Sequence, residues 1–213
     1  MNFSQFKIAS SRADVQANNN RHFFAHRFSK YIAYSFYRLG ASANTVTWFF
    51  LLFGVSSAFL LWAEFSLLSY FFWRLHIITD MADGEVARAT KVFSKSADGF
   101  DRSNHIIINT LILFAGTASI QNPFVTATLI ITFYLFYNFS INYFSEKTET
   151  RQMTFLAGVV ANLLSLEGFI FFTILLQLIA CTEYQIILAL SYSFFFFLLF
   201  LRKLQLFIYD NRI

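Results

Sequence analysis

Charged side chains are scarce in this sequence, and their scarcity excludes an ordinary water-soluble domain. Only 13% of the 213 residues are charged, whereas 57% are hydrophobic and 31 are phenylalanines. Soluble domains carry about 25% charged residues, so this chain has too little polar material to cover a surface that faces water. The mean hydropathy of +0.54 agrees. The composition therefore predicts an integral membrane protein.

Cysteine and proline are almost absent as well. The single cysteine, Cys181, excludes an internal disulfide and a zinc site built from cysteines. The single proline gives little support to rigid linkers or a loop-rich domain. No apolar stretch follows closely behind a short basic start, so we expect no signal peptide and an N-terminus in the cytosol. The absence of an internal repeat argues against inverted-repeat transporter folds.

Six apolar stretches approach the length of about 20 residues that a membrane-spanning helix needs. In chain order they are Val46–Trp62, Phe65–Thr79, His105–Ser119, Phe124–Ile141, Phe155–Ala180 and Ile186–Leu201. Little more than Ala63 and Glu64 separates the first two, which predicts a tight helical hairpin. Helix-compatible residues continue the second stretch through Asp80 to Arg88. The predicted fold is therefore all-α, with six transmembrane helices in residues 41–213.

Basic residues lie almost entirely on one side of these stretches. Of the 16 Lys and Arg residues, all but Arg74 fall in the N-terminal segment, after the second or fourth stretch, or after the sixth. Because Lys and Arg are retained on the cytoplasmic side, both termini are predicted to be cytosolic. We expect the protein in a bacterial cytoplasmic (inner) membrane.

Residues 1–40 form a separate N-terminal segment. From Arg21 to Arg38, aromatic residues such as Phe28 and Tyr31 are mixed with basic ones such as Lys30. This mixture predicts an amphipathic helix that lies in the membrane interface, with its basic residues near anionic head groups. Gly40 is the predicted end of that helix.

The most informative stretch runs from Asp80 to His105 and reads DMADGEVARATKVFSKSADGFDRSNH. Asp80 and Asp83 are three residues apart and thus adjacent on one helix face, which Gly84 and Ala87 continue. Acidic groups at a membrane boundary are costly unless they are paired or bound to a cation. Two carboxylates beside two small side chains predict a site for Mg²⁺ or Mn²⁺ with room for a bulky phosphate ligand.

Polar residues on either side extend this set. Arg88 follows on the same helix, where a guanidinium can grip phosphate oxygens. On the next predicted helix, Asp101, His105 and Asn109 recur every four residues. Such a row alone can serve hydrogen bonding between helices. Opposite the acidic face of Asp80 and Asp83, however, the row favours a site that the two helices share.

The spacing of these residues resembles the signature of the CDP-alcohol phosphotransferase family (class I, also called CDP-alcohol phosphatidyltransferases), D-x2-D-G-x2-A-R-x8-G-x3-D-x3-D. The positions that match are Asp80, Asp83, Gly84, Ala87, Arg88 and Asp101. Ala97 replaces the second glycine of the signature, and His105 replaces its fourth aspartate. The resemblance extends more weakly to Asn44, Thr47 and Gly54, and the six-span layout covers most of the chain.

The resemblance implies a membrane enzyme, usually a homodimer, with divalent metals in a cavity that faces the cytosol and a side groove for lipid tails. Family members transfer a substituted phosphate from a CDP-alcohol to an acceptor hydroxyl and release CMP, in phospholipid biosynthesis. For this chain it implies CDP-diacylglycerol as donor and a small polar alcohol as acceptor. Two alternatives stay open: a soluble CDP-alcohol donor with a lipid acceptor, and a catalytically degenerate member that binds lipids or a partner protein. We expect no nucleic-acid partner.

The resemblance also assigns roles by position. They are metal binding for Asp80, Asp83 and Asp101, close approach of the cytidine for Gly84 and Ala87, and phosphate contact for Arg88. The fourth aspartate of the family helps to bind metal and deprotonates the acceptor, and both roles would pass to His105. A neutral imidazole can accept that proton and can bind Mn²⁺. Because histidine removes one negative charge, we predict weaker Mg²⁺ binding and relatively better function with Mn²⁺.

Basic residues outside the motif have two interpretations. Lys91 and Lys95 either bind an acceptor phosphate or form a solvated face on the cytoplasmic side. Lys147 and Arg151 also have helical spacing. Basic residues near this junction can line the acceptor pocket in relatives, so Arg151 is the first candidate for acceptor binding.

Polar residues inside the predicted spans are open to similar alternatives. His76 either supports the site from four residues before Asp80 or is a buried, hydrogen-bonded structural histidine. Asn162 and Glu167 either face the cavity or are satisfied between helices. Arg74, inside the second span, has no explanation from the sequence alone.

Overall fold

The computed structural model describes residues 1–11, 23–92, 97–118, 120, 122–144 and 163–210, and this part of the chain is all-helical. Its α-helices are α1 (Phe3–Ala9), α2 (Phe23–Arg38), α3 (Ala43–Trp62), α4 (Ser66–Thr90), α5 (Ala97–Gly116), α6 (Pro123–Phe144), α7 (Leu166–Leu178) and α8 (Gln185–Asp210). A 3₁₀ turn, Thr182–Tyr184, leads into α8. The predicted all-α fold is confirmed for these residues.

The first two long helices, α3 and α4, form the tight hairpin that the sequence predicts. Only Ala63–Phe65 separates them, and Glu64 within this turn has a φ of 63°. The hydroxyl groups of Ser57 and Ser69 each donate to the backbone carbonyl of the other residue, at 2.9 and 2.8 Å. Small residues that hydrogen-bond across two helices let their backbones approach closely, so this pair sets the register of the hairpin.

The helices that carry the motif continue beyond their apolar parts. α4 continues through Asp80 to Arg88, as predicted, and ends at Thr90, because most residues after Asp80 have good helix propensity. α5 begins at Ala97, well before the apolar stretch that starts at His105. Asp101 and His105 therefore stand one turn apart on a single helix.

Two helices among the described residues are long and apolar enough to cross a membrane, judged by length and composition. They are Ala43–Trp62 and Thr182–Ile208, and shorter apolar helices cover Pro123–Asn138 and Leu166–Leu178. Large apolar side chains stay exposed on the two long helices, including Phe59 at 61% and Phe194 at 64%. Apolar surface of this extent is unfavourable in water and is compatible with membrane association. Residues 155–162 of the fifth predicted stretch lie outside the described residues.

The N-terminal segment contains the helix that was predicted there and one that was not. α2 covers most of the range from Arg21 to Arg38, and Gly40 follows it with a φ of 72°, a conformation that glycine adopts without strain. α1 is additional, and Asn2 and Gln5 cap its start reciprocally. Both helices pack on α3 and α4 in a small apolar cluster of Phe6, Ala33, Val46, Ala82 and Val86.

The main core lies among the helices from α3 to α8. Phe50, Ile108, Phe169 and Phe196 are almost completely buried in it. Gly54 allows α3 and α5 to approach each other, because a Cβ atom at this position would lie only 2.7 Å from the Ile108 side chain. This contact brings the polar face of α5 close to α3 and α4, where the motif residues lie.

Arg74, which the sequence left unexplained, pairs with Glu167 between α4 and α7. Its Nη1 lies 3.1 Å from Glu167 Oε2, and its guanidinium carbon lies 5.7 Å from the centre of the Tyr70 ring. Near the other end of the same helix pair, Ser66 donates a hydrogen bond to Gln177 Oε1 at 2.6 Å. Of the two interpretations of Glu167, the structure favours hydrogen bonding between helices.

Replacing Arg74 by Met is expected to lower the free energy of unfolding by about 1–3 kcal/mol, because the largely buried Glu167 carboxylate loses this cationic partner. The double variant Arg74→Met/Glu167→Gln should recover about half of that loss or more. Thermal unfolding in detergent measures both, with the exposed Arg202→Met as a control that should change little. A double variant no more stable than Arg74→Met would show that the two charges are not coupled.

Candidate metal centre

Three side chains with metal-binding groups converge between α4 and α5. One ligand atom each of Asp80, Asp101 and His105 lies within 4.8 Å of the other two. His105 Nε2 is 3.3 Å from Asp80 Oδ1 and 3.7 Å from Asp101 Oδ1. The structure thus brings together three of the four metal ligands suggested by the motif.

The donor set and its spacing suit a divalent cation. With metal–oxygen bonds of about 2.1 Å, neighbouring ligands of an octahedral Mg²⁺ lie about 3.0 Å apart, so the 3.3 and 3.7 Å separations from His105 Nε2 need only a small contraction. The side chains of Asp80, Asp101 and His105 are 35, 39 and 27% exposed, which leaves them within reach of an ion from solvent. Two carboxylates and an imidazole can hold a metal ion, and this donor set is compatible with more than one metal.

Asp83, the remaining proposed ligand, lies outside this group of three. Its Oδ2 accepts a 2.9 Å hydrogen bond from Thr47 Oγ1 of α3. Thr47 is buried, so the bond ties the motif face of α4 to α3. The Asp83 carboxylate is therefore directed toward α3, beside the three converging side chains.

The rings of Phe50 on α3 and His76 on α4 form an aromatic wall beside the site. The Phe50 ring stacks on His76 with 4.4 Å between ring centres and meets the His105 ring edge-on at 4.9 Å. His76 is buried, and its Nδ1 lies 3.1 Å from the Phe50 carbonyl oxygen. This geometry matches the structural interpretation of His76. Packing of this kind limits the orientations open to the His105 ring.

The residues expected to meet the nucleotide follow on α4. A Cβ atom on Gly84 would lie 3.1 Å from Arg88 Nη1, so the guanidinium lies over the glycine. Arg88 Nε donates a 2.7 Å hydrogen bond to the backbone carbonyl of Ser10. Ala87 adds only a methyl group to this side of the helix. Gly84, Ala87 and the Arg88 guanidinium, which lies over Gly84, therefore follow the α4 member of the three converging side chains along that helix.

Several of the other candidate residues lie outside the part of the chain that the structure describes. Arg151, Lys147, Lys95 and Asn162 lie outside the described residues, so the structure does not bear on their interpretations. Ala97 is the first residue of α5, but its side chain is not described. Lys91 is exposed, and Asn109 is buried one turn beyond His105.

Phe50 and Ser10 contact site residues but were not identified from the sequence. Phe50 is one of 31 phenylalanines, and nothing in the sequence distinguishes it from the rest. Ser10 follows α1, whose existence the pair Asn2 and Gln5 signals, because an asparagine followed three residues later by glutamine can cap a helix start. That signal predicts the helix but not what it contacts.

Comparison with known proteins adds no relative from which a function could be transferred. No protein-family model matches the chain, and no curated protein or solved structure matches it either. Evidence about its function therefore comes from its own residues, above all from the arrangement of Asp80, Asp101 and His105.

Proposed function

We propose that this chain is a membrane-embedded, divalent-metal-dependent CDP-alcohol phosphotransferase. The observation that carries the proposal is the convergence of Asp80, Asp101 and His105, from two different helices, to within 4.8 Å. These residues stand at the first, third and fourth acidic positions of the family signature. Arg88 and the small residues Gly84 and Ala87 lie beside them, as a site for a nucleotide pyrophosphate requires.

The proposed setting is a chain that crosses the membrane six times. Its spans would be α3 to α6, the apolar stretch Phe155–Ala180 of the sequence, and α8. Two of these helices meet the length and hydropathy requirements in full. The one-sided distribution of Lys and Arg supports cytosolic termini and a site near the cytosolic surface, and a homodimer is part of the proposal.

The motif residues have different proposed roles in binding the donor. Asp80 and Asp101 supply two anionic oxygens for the metal, and Asp83, held by Thr47, adds negative charge beside them. A bound divalent metal would neutralise the pyrophosphate and stabilise the charge that develops during phosphoryl transfer. Arg88 would contact phosphate oxygens in charge-assisted hydrogen bonds.

The reaction exchanges one phosphorus–oxygen bond for another. The acceptor hydroxyl oxygen attacks the phosphorus that carries the alcohol group, the phosphoanhydride bond breaks, and CMP leaves with the electron pair of that bond. His105 is the group placed to accept the acceptor's proton. Its Nε2 cannot hold a metal ion and a proton at once, so metal ligand and general base are alternative roles for this atom. The Phe50–His76 wall fixes the ring for either role.

Release of CMP by purified protein tests the proposed reaction. The protein, with Mn²⁺, is given CDP-diacylglycerol and a panel of small polar alcohols and their phosphates, and in a second arm CDP-linked small alcohols with diacylglycerol. CMP release that depends on one acceptor, with an equal amount of lipid product, is expected in the first arm. CMP release only in the second arm would show that the donor is the soluble CDP-alcohol and the acceptor is the lipid. If protein that binds Mn²⁺ releases no CMP in either arm, the remaining interpretation is a catalytically degenerate protein that binds lipids or a partner protein.

Replacing Asp83 by Asn is expected to reduce CMP release about 100-fold or more, since the change removes a negative charge beside the metal while it keeps the side chain's shape. The hydrogen bond from Thr47 can persist to the amide oxygen, so the fold should be retained. Glu183→Gln, an exposed change in the 3₁₀ turn before α8, is the matched control and should leave the rate unchanged. An Asp83→Asn variant as active as this control would remove Asp83 from the site.

A further inference from the structure

The N-terminal helix α1 is anchored on the part of α4 that carries the motif. Phe6 is completely buried in contact with the cluster that contains Ala82 and Val86 of α4. Its ring centre also lies 5.5 Å from that of Tyr34 and 5.3 Å from that of Tyr37, both in α2. A helix as short as α1 is unstable alone, so this aromatic anchor determines where it sits.

The anchored helix presents a backbone carbonyl to Arg88. Ser10, just after α1, is 1% exposed, and its carbonyl oxygen accepts the 2.7 Å hydrogen bond from Arg88 Nε. The backbone N–H of Ser10 donates to the Phe6 carbonyl at 2.8 Å, so the position of Ser10 follows from that of Phe6. A bond at Nε fixes the plane of a guanidinium, while carboxylates and phosphates are commonly gripped by its fork of N–H groups.

We propose that α1 is a positioning element of the donor site, which holds Arg88 through the Ser10 carbonyl in the orientation that grips the donor's phosphates. This inference rests on the proposed function, because it takes Arg88 as a phosphate ligand. Gly84 contributes by leaving open the space that the guanidinium occupies. The hydrogen bond from Arg88 is the contact through which Ser10 would affect the donor, so we expect α1 to act on donor binding and to leave the chemical step unchanged.

Phe6→Ala in the full-length protein removes the anchor and tests this role. We expect the KM for the CDP-linked donor to rise about tenfold while kcat stays within about twofold. Ile8→Ala is the matched control, because Ile8 lies on the same helix and is 78% exposed. The control should keep both constants, and Phe6→Leu, which retains an apolar anchor, should lie between the two. A Phe6→Ala variant that behaves like Ile8→Ala overturns the proposal.

Combining the change with Arg88→Ala separates positioning from general support of the fold. If α1 acts through Arg88, adding Phe6→Ala to Arg88→Ala should change the KM by less than about twofold. A helix that only stabilises the fold would instead have its full effect in both backgrounds, and that result contradicts the proposal. Mn²⁺ affinity, measured by electron paramagnetic resonance, should be the same in all of these variants.

Binding of CDP in the presence of Mn²⁺ distinguishes failure of this proposal from failure of the proposed reaction. Tenfold weaker CDP binding in Phe6→Ala, seen only when Arg88 is present, supports the positioning role even if no CMP is ever released. Unchanged CDP binding overturns the role and leaves the reaction standing. Amide hydrogen exchange provides a measurement that does not need Phe6→Ala to fold. Arg88→Ala should speed exchange at residues 6–10, and unchanged exchange would contradict the link between Arg88 and α1.

Discussion

Replacing Asp80 by Asn is expected to abolish CMP release, with a loss of about 1000-fold or more, and to weaken Mn²⁺ binding sharply. Asp80 is the α4 member of the group of three, and its carboxylate lies 3.3 Å from His105 Nε2. The amide keeps the shape of the side chain but carries no charge, so it cannot replace an anionic oxygen ligand of a hard cation. CMP release and Mn²⁺ titration by electron paramagnetic resonance measure the two effects separately.

The matched control for this change is Glu64→Gln. Glu64 is exposed in the turn between α3 and α4, at the opposite end of α4 from the motif. The same change of carboxylate to amide there should leave both activity and Mn²⁺ affinity intact. An Asp80→Asn variant that keeps more than about a tenth of the wild-type rate would contradict a metal ligand at this position, because such ligands are seldom dispensable.

His105→Asp is expected to reverse the metal preference of the protein. The wild-type chain should work at least about tenfold better with Mn²⁺ than with Mg²⁺, because an imidazole supplies a neutral nitrogen where Mg²⁺ prefers an anionic oxygen. Aspartate restores the negative charge of the family signature at this position and should raise Mg²⁺-dependent activity to at least the Mn²⁺ level. Titration of CMP release against each metal, for both proteins, measures the preference.

Wild-type protein and His105→Asp also distinguish a metal ligand from a general base at this position. Nitrogen coupling in the electron spin echo of bound Mn²⁺, absent from His105→Asp, would assign His105 as a ligand, whereas its absence from both proteins would favour the base. The His76 ring centre lies 6.4 Å from that of His105, so coupling that persists in His76→Asn is needed to exclude His76 as its source. A wild-type protein that favours Mg²⁺ would contradict the effect expected of histidine at this position.

Much of the fold follows from apolar length and local propensity. The two residues between the first and second apolar stretches predict the α3–α4 hairpin, which the structure confirms. The continuation of α4 past Asp80 follows from the helix propensity of its residues. In contrast, the residues of α5 before His105 are mostly polar, so apolar length alone does not predict that α5 begins at Ala97, and α1 is too short for hydrophobic periodicity to indicate it.

The site could be predicted only where its geometry is local. Spacings of three and four residues place Asp80 with Asp83, and Asp101 with His105, on single helix faces, and these relations need no knowledge of packing. The bond of Asp83 to Thr47, which turns that carboxylate toward α3, depends on how two helices pack. Sequence spacing therefore suggests four candidate ligands but not which three of them converge.

Contacts between distant segments are the part that the sequence could not reveal. Arg74 remained unexplained because its partner, Glu167, lies 93 residues further along the chain. The place of Arg88 in the motif suggests a phosphate contact, but its hydrogen bond to Ser10 joins residues 78 positions apart. No periodicity records such pairings, since each depends on the packing of helices that are separate in the sequence.

The most direct measurement of the central claim is a Mn²⁺ titration of wild-type protein and Asp101→Asn, followed by electron paramagnetic resonance. Asp80 lies on α4 and Asp101 on α5, so a cation shared by the two helices needs both carboxylates. We predict that Asp101→Asn weakens Mn²⁺ binding about 100-fold, as strongly as Asp80→Asn. Wild-type affinity in Asp101→Asn, with binding lost only in Asp80→Asn, would show that the helices do not share a metal and would contradict the proposed site.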